Sequence, residues 1–186
     1  MIFPKKYRIL KNNKFTLGLY RIIPIRFEDQ SIVMQWRNDQ INILRQKSLL
    51  TAEQQDQYFT HVLLKNFNES QPDQLIFSFF KSTELIGYGG LVHIDWKSKN
   101  AEISFLLSTK LNDPQTYKES FEIFLDLMIK LAIEAEMHKI FTFGYDVASY
   151  RFEPLISRKF NQEACLKKHI NIDGIFLNAL IYSKFL

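Results

Sequence analysis

Four histidines, His61, His93, His138 and His169, are the side chains of this 186-residue chain whose charge turns over near neutral pH. His93 stands in His93-Ile94-Asp95-Trp96 at the end of an apolar run, where it can serve as a base, orient a reacting group or simply pack. His169, in Lys167-Lys168-His169, reads as a surface residue, and His61 and His138 as surface or structural ones. Cysteine chemistry is narrower still. The lone Cys165 makes neither an internal disulfide nor a zinc cage, so no metal is expected and a reducing compartment, the cytoplasm, is.

Charge bounds the partners. Residues 1–26 hold seven of the 24 Lys and Arg and no acid, so the other 17 face 20 acids and the rest of the chain carries −3. A nucleic-acid binder would carry its basic residues through the fold as a stripe, so no nucleic acid is expected; residues 1–18 read as a basic N-terminal extension or hairpin. The richest apolar stretch, Phe121 to Ile133, is broken by Glu122, Asp126 and Lys130, which leaves no membrane span. The start lacks an apolar region behind its lysines and is not a secretory signal.

The elements that must hold these residues follow from periodicity. Leu19 to Ile25 reads as a strand; a helix capped by Asp29 carries Ile32, Val33 and Trp36; Thr51 with Gln54 is a capping box before an apolar face of Tyr58, Phe59, Val62 and Leu63. Leu75 to Phe80 and Leu85 to Ile94 form a hairpin, and Ala101 to Leu107 adds a strand. From Thr116 the period becomes helical through Ala135. Ile140 to Phe143 is a strand, Ser149 to Arg158 a helix despite Pro154, and Ala164 to Ile170 and Ile175 to Tyr182 are strands about an Asp173-Gly174 turn. Residues 1–186 are thus one domain of α/β (α+β) class, a three-layer α/β/α sandwich with a mostly antiparallel sheet of about seven strands and about four helices.

This order resembles the GNAT superfamily of acyl-CoA-dependent N-acyltransferases, in particular the branch of ribosomal-protein and amino-sugar N-acetyltransferases. The resemblance runs from about Tyr20 to Tyr182. It is carried by Trp36-Arg37-Asn38, Ile86-Gly87-Tyr88-Gly89-Gly90-Leu91, Ala101-Glu102-Ile103, His138-Lys139-Ile140 and Asp173-Gly174. It implies that the strand at 101–107 splays from the strand at 140–143, and that Phe105, Leu106 and Leu107 offer backbone to the pantetheine arm of acetyl-CoA. The pyrophosphate would sit on the next helix N-terminus, at Gln115-Thr116-Tyr117-Lys118-Glu119-Ser120. There Lys118 replaces the family's middle glycine; its ammonium either contacts phosphate or is a solvated first-turn group.

The same resemblance implies Glu102 as general base, with His93 as the other candidate, and a substrate pocket drawing on Trp36, Arg37, Asp95 and His169. The asparagine and acid tyrosine of many members fall on Ala148 and Leu155, leaving Tyr145, Tyr150 or water to protonate the thiolate. The expected activity is acetyl transfer from acetyl-CoA to the primary amine of a small molecule, such as a nucleotide-linked amino sugar. The alternatives are a non-catalytic binding or scaffolding member and a protein N-terminal acetyltransferase. Oligomeric state is not legible.

Overall fold

The computed structural model describes residues 3–111 and 113–186, so residues 1 and 2 of the basic N-terminal segment lie outside it. Eight strands form one sheet: β1 (Phe15–Leu17), β2 (Tyr20–Pro24), β3 (Leu75–Lys81), β4 (Glu84–Asp95), β5 (Asn100–Leu107), β6 (Lys139–Tyr145), β7 (Asn161–Ile172) and β8 (Ile175–Phe185). Their order is β1-β2-β3-β4-β5-β6-β8-β7. Every neighbour pair is antiparallel except β5–β6, which is parallel. The sheet has one strand more than the seven expected. The extra one is β1, too short to show an alternation, which Gly18 at φ +57° folds back onto β2.

Helices cover both faces. On one lie α1 (Gln30–Asp39) and α2 (Ala52–Gln57), the latter running through a π-helical stretch at Tyr58–Leu63 into α3 (Leu64–Asn66). On the other lies α4 (Pro114–Glu134), which packs on β1, β2, β4 and β5 and carries α5 (Glu153–Ser157) at its side. The expected capping box is present: Gln54 N–H donates to Thr51 Oγ1 at 3.2 Å and Thr51 N–H to Gln54 Oε1 at 3.0 Å.

Asp29 does not cap α1. It lies within a 3₁₀ turn at Phe27–Asp29, buried, where its carboxylate accepts from Arg26 and from the Ser78 hydroxyl. The Ser149–Arg158 helix is broken into a 3₁₀ turn at Ser149–Arg151 and α5, and Pro154 sits in the first turn of α5, where its missing N–H costs nothing.

The core is aromatic. Phe105 stacks on Phe121 at 4.6 Å between centroids with 5° between planes, while Phe124 meets Phe79 at 5.3 Å and Phe105 at 4.6 Å. Gly89 lies beneath this cluster. A Cβ there would come within 2.9 Å of the Phe124 ring and 2.1 Å of the Ser104 carbonyl oxygen, so glycine lets α4 and β5 close onto β4.

Candidate active site

The parallel pair β5–β6 is registered at only three positions: Asn100 with Lys139, Ala101 with Ile140 and Glu102 with Phe141. Beyond Glu102 the two strands separate, leaving a crevice of about 170 Å³ lined by Ser104, Phe105, Tyr117, Thr142, Tyr145 and Arg151 among others. Thr142, the first residue of β6 past the last pair, buries its hydroxyl there with no hydrogen-bond partner among the described residues. A buried hydroxyl without a partner is costly, and this one is a ready contact for an amide-bearing chain threaded between the strands.

Glu102 closes the head of the crevice. Its residue is 5% exposed, and its carboxylate accepts from Arg45, while His93 Nε2 stands 3.8 Å from Oε2. Burial pushes the Glu102 carboxyl above the usual glutamate range, although Arg45 and His93 both oppose the shift. The β4–β5 register slips between Val92 and Asp95, and in that bulge His93 takes φ +50°. The bulge brings the ring to the carboxylate.

Arg45 comes from the loop after a 3₁₀ turn at Ile41–Ile43, and its guanidinium also lies over the Phe143 ring at 5.1 Å. It therefore spans the splay from β5 to β6. Asn38 holds this loop: its side chain donates to the Leu50 carbonyl at 2.9 Å and accepts from the Leu50 N–H at 2.8 Å and from Gln46 at 3.0 Å. Neither Arg45 nor Thr142 stands in a recognisable motif, so sequence reasoning passed over both.

A second cavity of about 660 Å³ adjoins the crevice, and Leu44, Arg45 and Ser104 line both. Arg37, Tyr58, Gln74, Tyr88 and His93 supply its polar wall. The π-helical turn places Tyr58, Phe59, Val62 and Leu63 on this wall, a register that plain helical spacing does not foretell. Burial pushes the Tyr58 phenol up to about 12.

The residues expected of a substrate pocket are thus divided. Arg37 and His93 line the cavity, but Trp36 is buried in the core at 4% exposure and Asp95 is not among the lining residues. The Asp95 carboxylate accepts from the Ser98 N–H at 2.9 Å and closes the β4–β5 turn. His169 lies on β7 with its ring 5.9 Å from Phe143, outside both cavities. Tyr145 lines the crevice, whereas Tyr150 is not among its lining residues and sets its ring edge-on to Tyr117 at 5.7 Å.

Toward the cofactor end, Phe105 lines the crevice, while Leu106 and Leu107 are buried and the Leu107 carbonyl accepts from Gln40 at 2.9 Å. Gln115 to Ser120 lie within the first turns of α4. Asp113 is the N-cap and accepts from the Thr116 N–H at 2.9 Å, Gln115 bonds Glu119 at 2.6 Å, and Lys118 donates to Glu153 at 2.9 Å. Ser120 is buried, and so is Tyr117, whose phenol burial pushes up to about 12 with Arg151 stacked 4.7 Å over the ring.

The sequence profile of the acetyltransferase (GNAT) domain matches residues 22–151. The chain belongs to the GNAT acetyltransferase family. It is an acetyl-CoA-dependent N-acetyltransferase, and acetyl-CoA is its co-substrate. No curated protein matches it in sequence.

Solved structures share the fold of this GNAT chain at low identity. Spermidine N-acetyltransferase from Vibrio cholerae, solved with CoA and spermine, superimposes with a TM-score of 0.76 at 12% identity, over 91% of this chain and 96% of that one. The ribosomal L7/L12 α-N-protein acetyltransferase RimL, solved with CoA, gives 0.74 at 11% identity over 91% and 96%. Ribosomal-protein-S5-alanine acetyltransferase from Vibrio fischeri gives 0.69 at 17% identity over 94% and 97%. The splayed strands and the unpartnered Thr142 hydroxyl fit the pantetheine arm of the co-substrate. Phe105, Thr142 and the free edges of β5 and β6 are the groups that would hold it.

Proposed function

We propose that this N-acetyltransferase works in the cytoplasm on the primary amine of a small molecule, a nucleotide-linked amino sugar being the preferred class, with Glu102 as the base. The observation that carries this reading is the position of Glu102. Its carboxylate is buried at the head of the splay, next to the Arg45 and Ser104 wall that the crevice shares with the larger cavity.

Acetyl transfer needs an amine free of its proton, and a carboxylate whose pKa burial has raised is a stronger base for that proton than an ordinary glutamate. Arg45 opposes the rise that burial imposes on the Glu102 carboxyl, and His93, exposed on the cavity side, can pass the proton outward. Tyr145, on the crevice wall, is the candidate to return a proton to the leaving thiolate. Water can serve instead, because a thiol with a pKa near 8.5 leaves without strong help.

The charge of the larger cavity speaks against a polyamine acceptor. Its lining holds Arg37, which pairs with no carboxylate among the described residues, and Arg45, which Glu102 engages, against one carboxylate, the exposed Asp73. A chain of ammonium groups would meet cations there. Glu102→Gln is expected to lower kcat by about 10² to 10⁴ while leaving acetyl-CoA binding intact. An unchanged rate from pH 6 to 9 would remove Glu102 from the chemistry.

A further inference from the structure

Arg37 is a half-buried arginine without an acid. Its Nε donates to Gln46 Oε1 at 3.0 Å and its Nη1 to the Tyr88 hydroxyl at 3.0 Å, both neutral acceptors. Among the described residues it forms no ion pair. Gln46 spends its own N–H on Asn38 Oδ1 at 3.0 Å, which fixes the amide with its oxygen toward Arg37. A guanidinium offers five N–H donors in a planar fork, and among the described residues those beyond these two meet no hydrogen-bond acceptor.

A place in the last turn of α1 favours a cation through the helix dipole, and that alone would explain an arginine lying along the helix surface. It does not explain a side chain drawn across to Tyr88 on β4, into the larger cavity, where burial works against its charge and the Tyr88 and Tyr58 phenols more than offset that cost, so that its pKa stands above the ordinary arginine value. Among the described residues no carboxylate pairs with it. The Glu102 carboxylate is engaged by Arg45 and flanked by His93, and Asp73 is exposed.

Resting on the acetyltransferase reading of this site, we propose that the acceptor carries an anionic oxygen group, a carboxylate or a phosphate, which Arg37 receives. The amine and the anion are then the two ends of one small molecule, with the amine toward Glu102 and the anion toward the end of α1. The fork binds two oxygens of either anion side by side, and the Tyr58 and Tyr88 phenols line the same wall.

The test uses one sugar scaffold in three forms: glucosamine, glucosamine 1-phosphate and 2-amino-2-deoxyglucuronic acid, with spermidine as the polycation. Release of CoA thiol is followed for wild type, Arg37→Ala and Arg37→Lys. One of the two anionic sugars is expected to exceed glucosamine about 10-fold or more in kcat/KM, and which one it is separates phosphate from carboxylate. Arg37→Ala should raise KM for that sugar about 10- to 100-fold with kcat changed little, and cost glucosamine far less; Arg37→Lys should recover part of the loss. Preference for glucosamine or spermidine, or an equal effect of Arg37→Ala on neutral and anionic sugars, overturns the proposal.

Melting curves with acetyl-CoA separate this failure from failure of the acetyltransferase reading. If acetyl-CoA protects all three proteins but no sugar is acetylated, calorimetric titration of glucosamine 1-phosphate and of the carboxylate sugar into the acetyl-CoA complex decides. Binding of either one that Arg37→Ala abolishes supports the proposal, and no binding, or equal binding to both proteins, overturns it. If acetyl-CoA protects none of them, the acetyltransferase reading fails and this one with it.

Discussion

Glu102 and Phe141 are the last residues at which β5 and β6 run side by side, and the chemistry of the molecule gathers at that point. On one side of the pair the sheet is closed. On the other it opens into a crevice with an unpartnered hydroxyl on one strand and a buried carboxylate at its head.

Thr142 gives a two-sided test. Thr142→Val keeps the shape and removes a buried hydroxyl that lacks a partner, so the free protein is expected to gain about 1 kcal/mol of stability. The same change should weaken acetyl-CoA, so that the rise in Tm on saturation is smaller than in wild type. For wild type, a concentration of 100 times Kd stabilises by about 2.7 kcal/mol. A variant that melts lower when free, or that is protected as fully as wild type, would show that the hydroxyl does not face the co-substrate.

The Glu102 carboxyl sets a pH signature with a definite sign. As a base it must be ionised, so kcat/KM rises with pH through a carboxyl pKa lying above the usual glutamate range. Arg45 lowers that pKa; Arg45→Gln should therefore move the acid limb of the profile to higher pH. Stability runs the other way. The folded state holds this proton more firmly than the unfolded chain, so this group's contribution is lost as pH climbs from the ordinary glutamate range through the raised value. Glu102→Gln should abolish that loss, and an acid limb that stays in place or falls in Arg45→Gln would assign the titration to another group.

Lys118 stands in the first turns of α4, tied to Glu153 on α5. If the pyrophosphate lies at this helix end, the ammonium is shared between the two anions. Lys118→Ala should then weaken acetyl-CoA about 2- to 5-fold at low salt, and Glu153→Gln should strengthen it by a similar factor. Raising the ionic strength should shrink both differences. Titrations giving the same affinity for all three proteins at low salt would leave the pair as a link between two helices.

Two glycines should behave differently on substitution. A Cβ at Gly90 would lie 1.9 Å from the Leu75 carbonyl oxygen, between paired strands, whereas one at Gly18 meets nothing within 4 Å and bears only the strain of φ +57°. Gly90→Ala is therefore expected to cost about 3 kcal/mol or more and Gly18→Ala about 1 kcal/mol, in chemical denaturation. The reverse order would show that β3 and β4 yield more readily than their pairing implies.

What depends on neighbours along the chain can be read from the residues alone. The capping box at Thr51 and Gln54, the Asp173-Gly174 reversal, the long period of α4 and the strand at Ala101 to Leu107 are all local, because caps, turns and periodicities act within a few residues. The resemblance carried by Trp36-Arg37-Asn38, Gly87 to Leu91 and Glu102 was legible for the same reason. What each of those side chains meets depends on the packing of distant segments. Trp36 turned into the core, Arg37 into a cavity and Asn38 onto the loop that delivers Arg45, though the three are adjacent in sequence. Arg45 and Glu102, 57 residues apart, met because that loop crosses the sheet face, and Asp29 left the helix end for Arg26 and Ser78. Such pairings depend on how the helices dock on the sheet, and the burial that docking imposes, not the residue type, is what raises the pKa of one glutamate among the 20 acids of the chain.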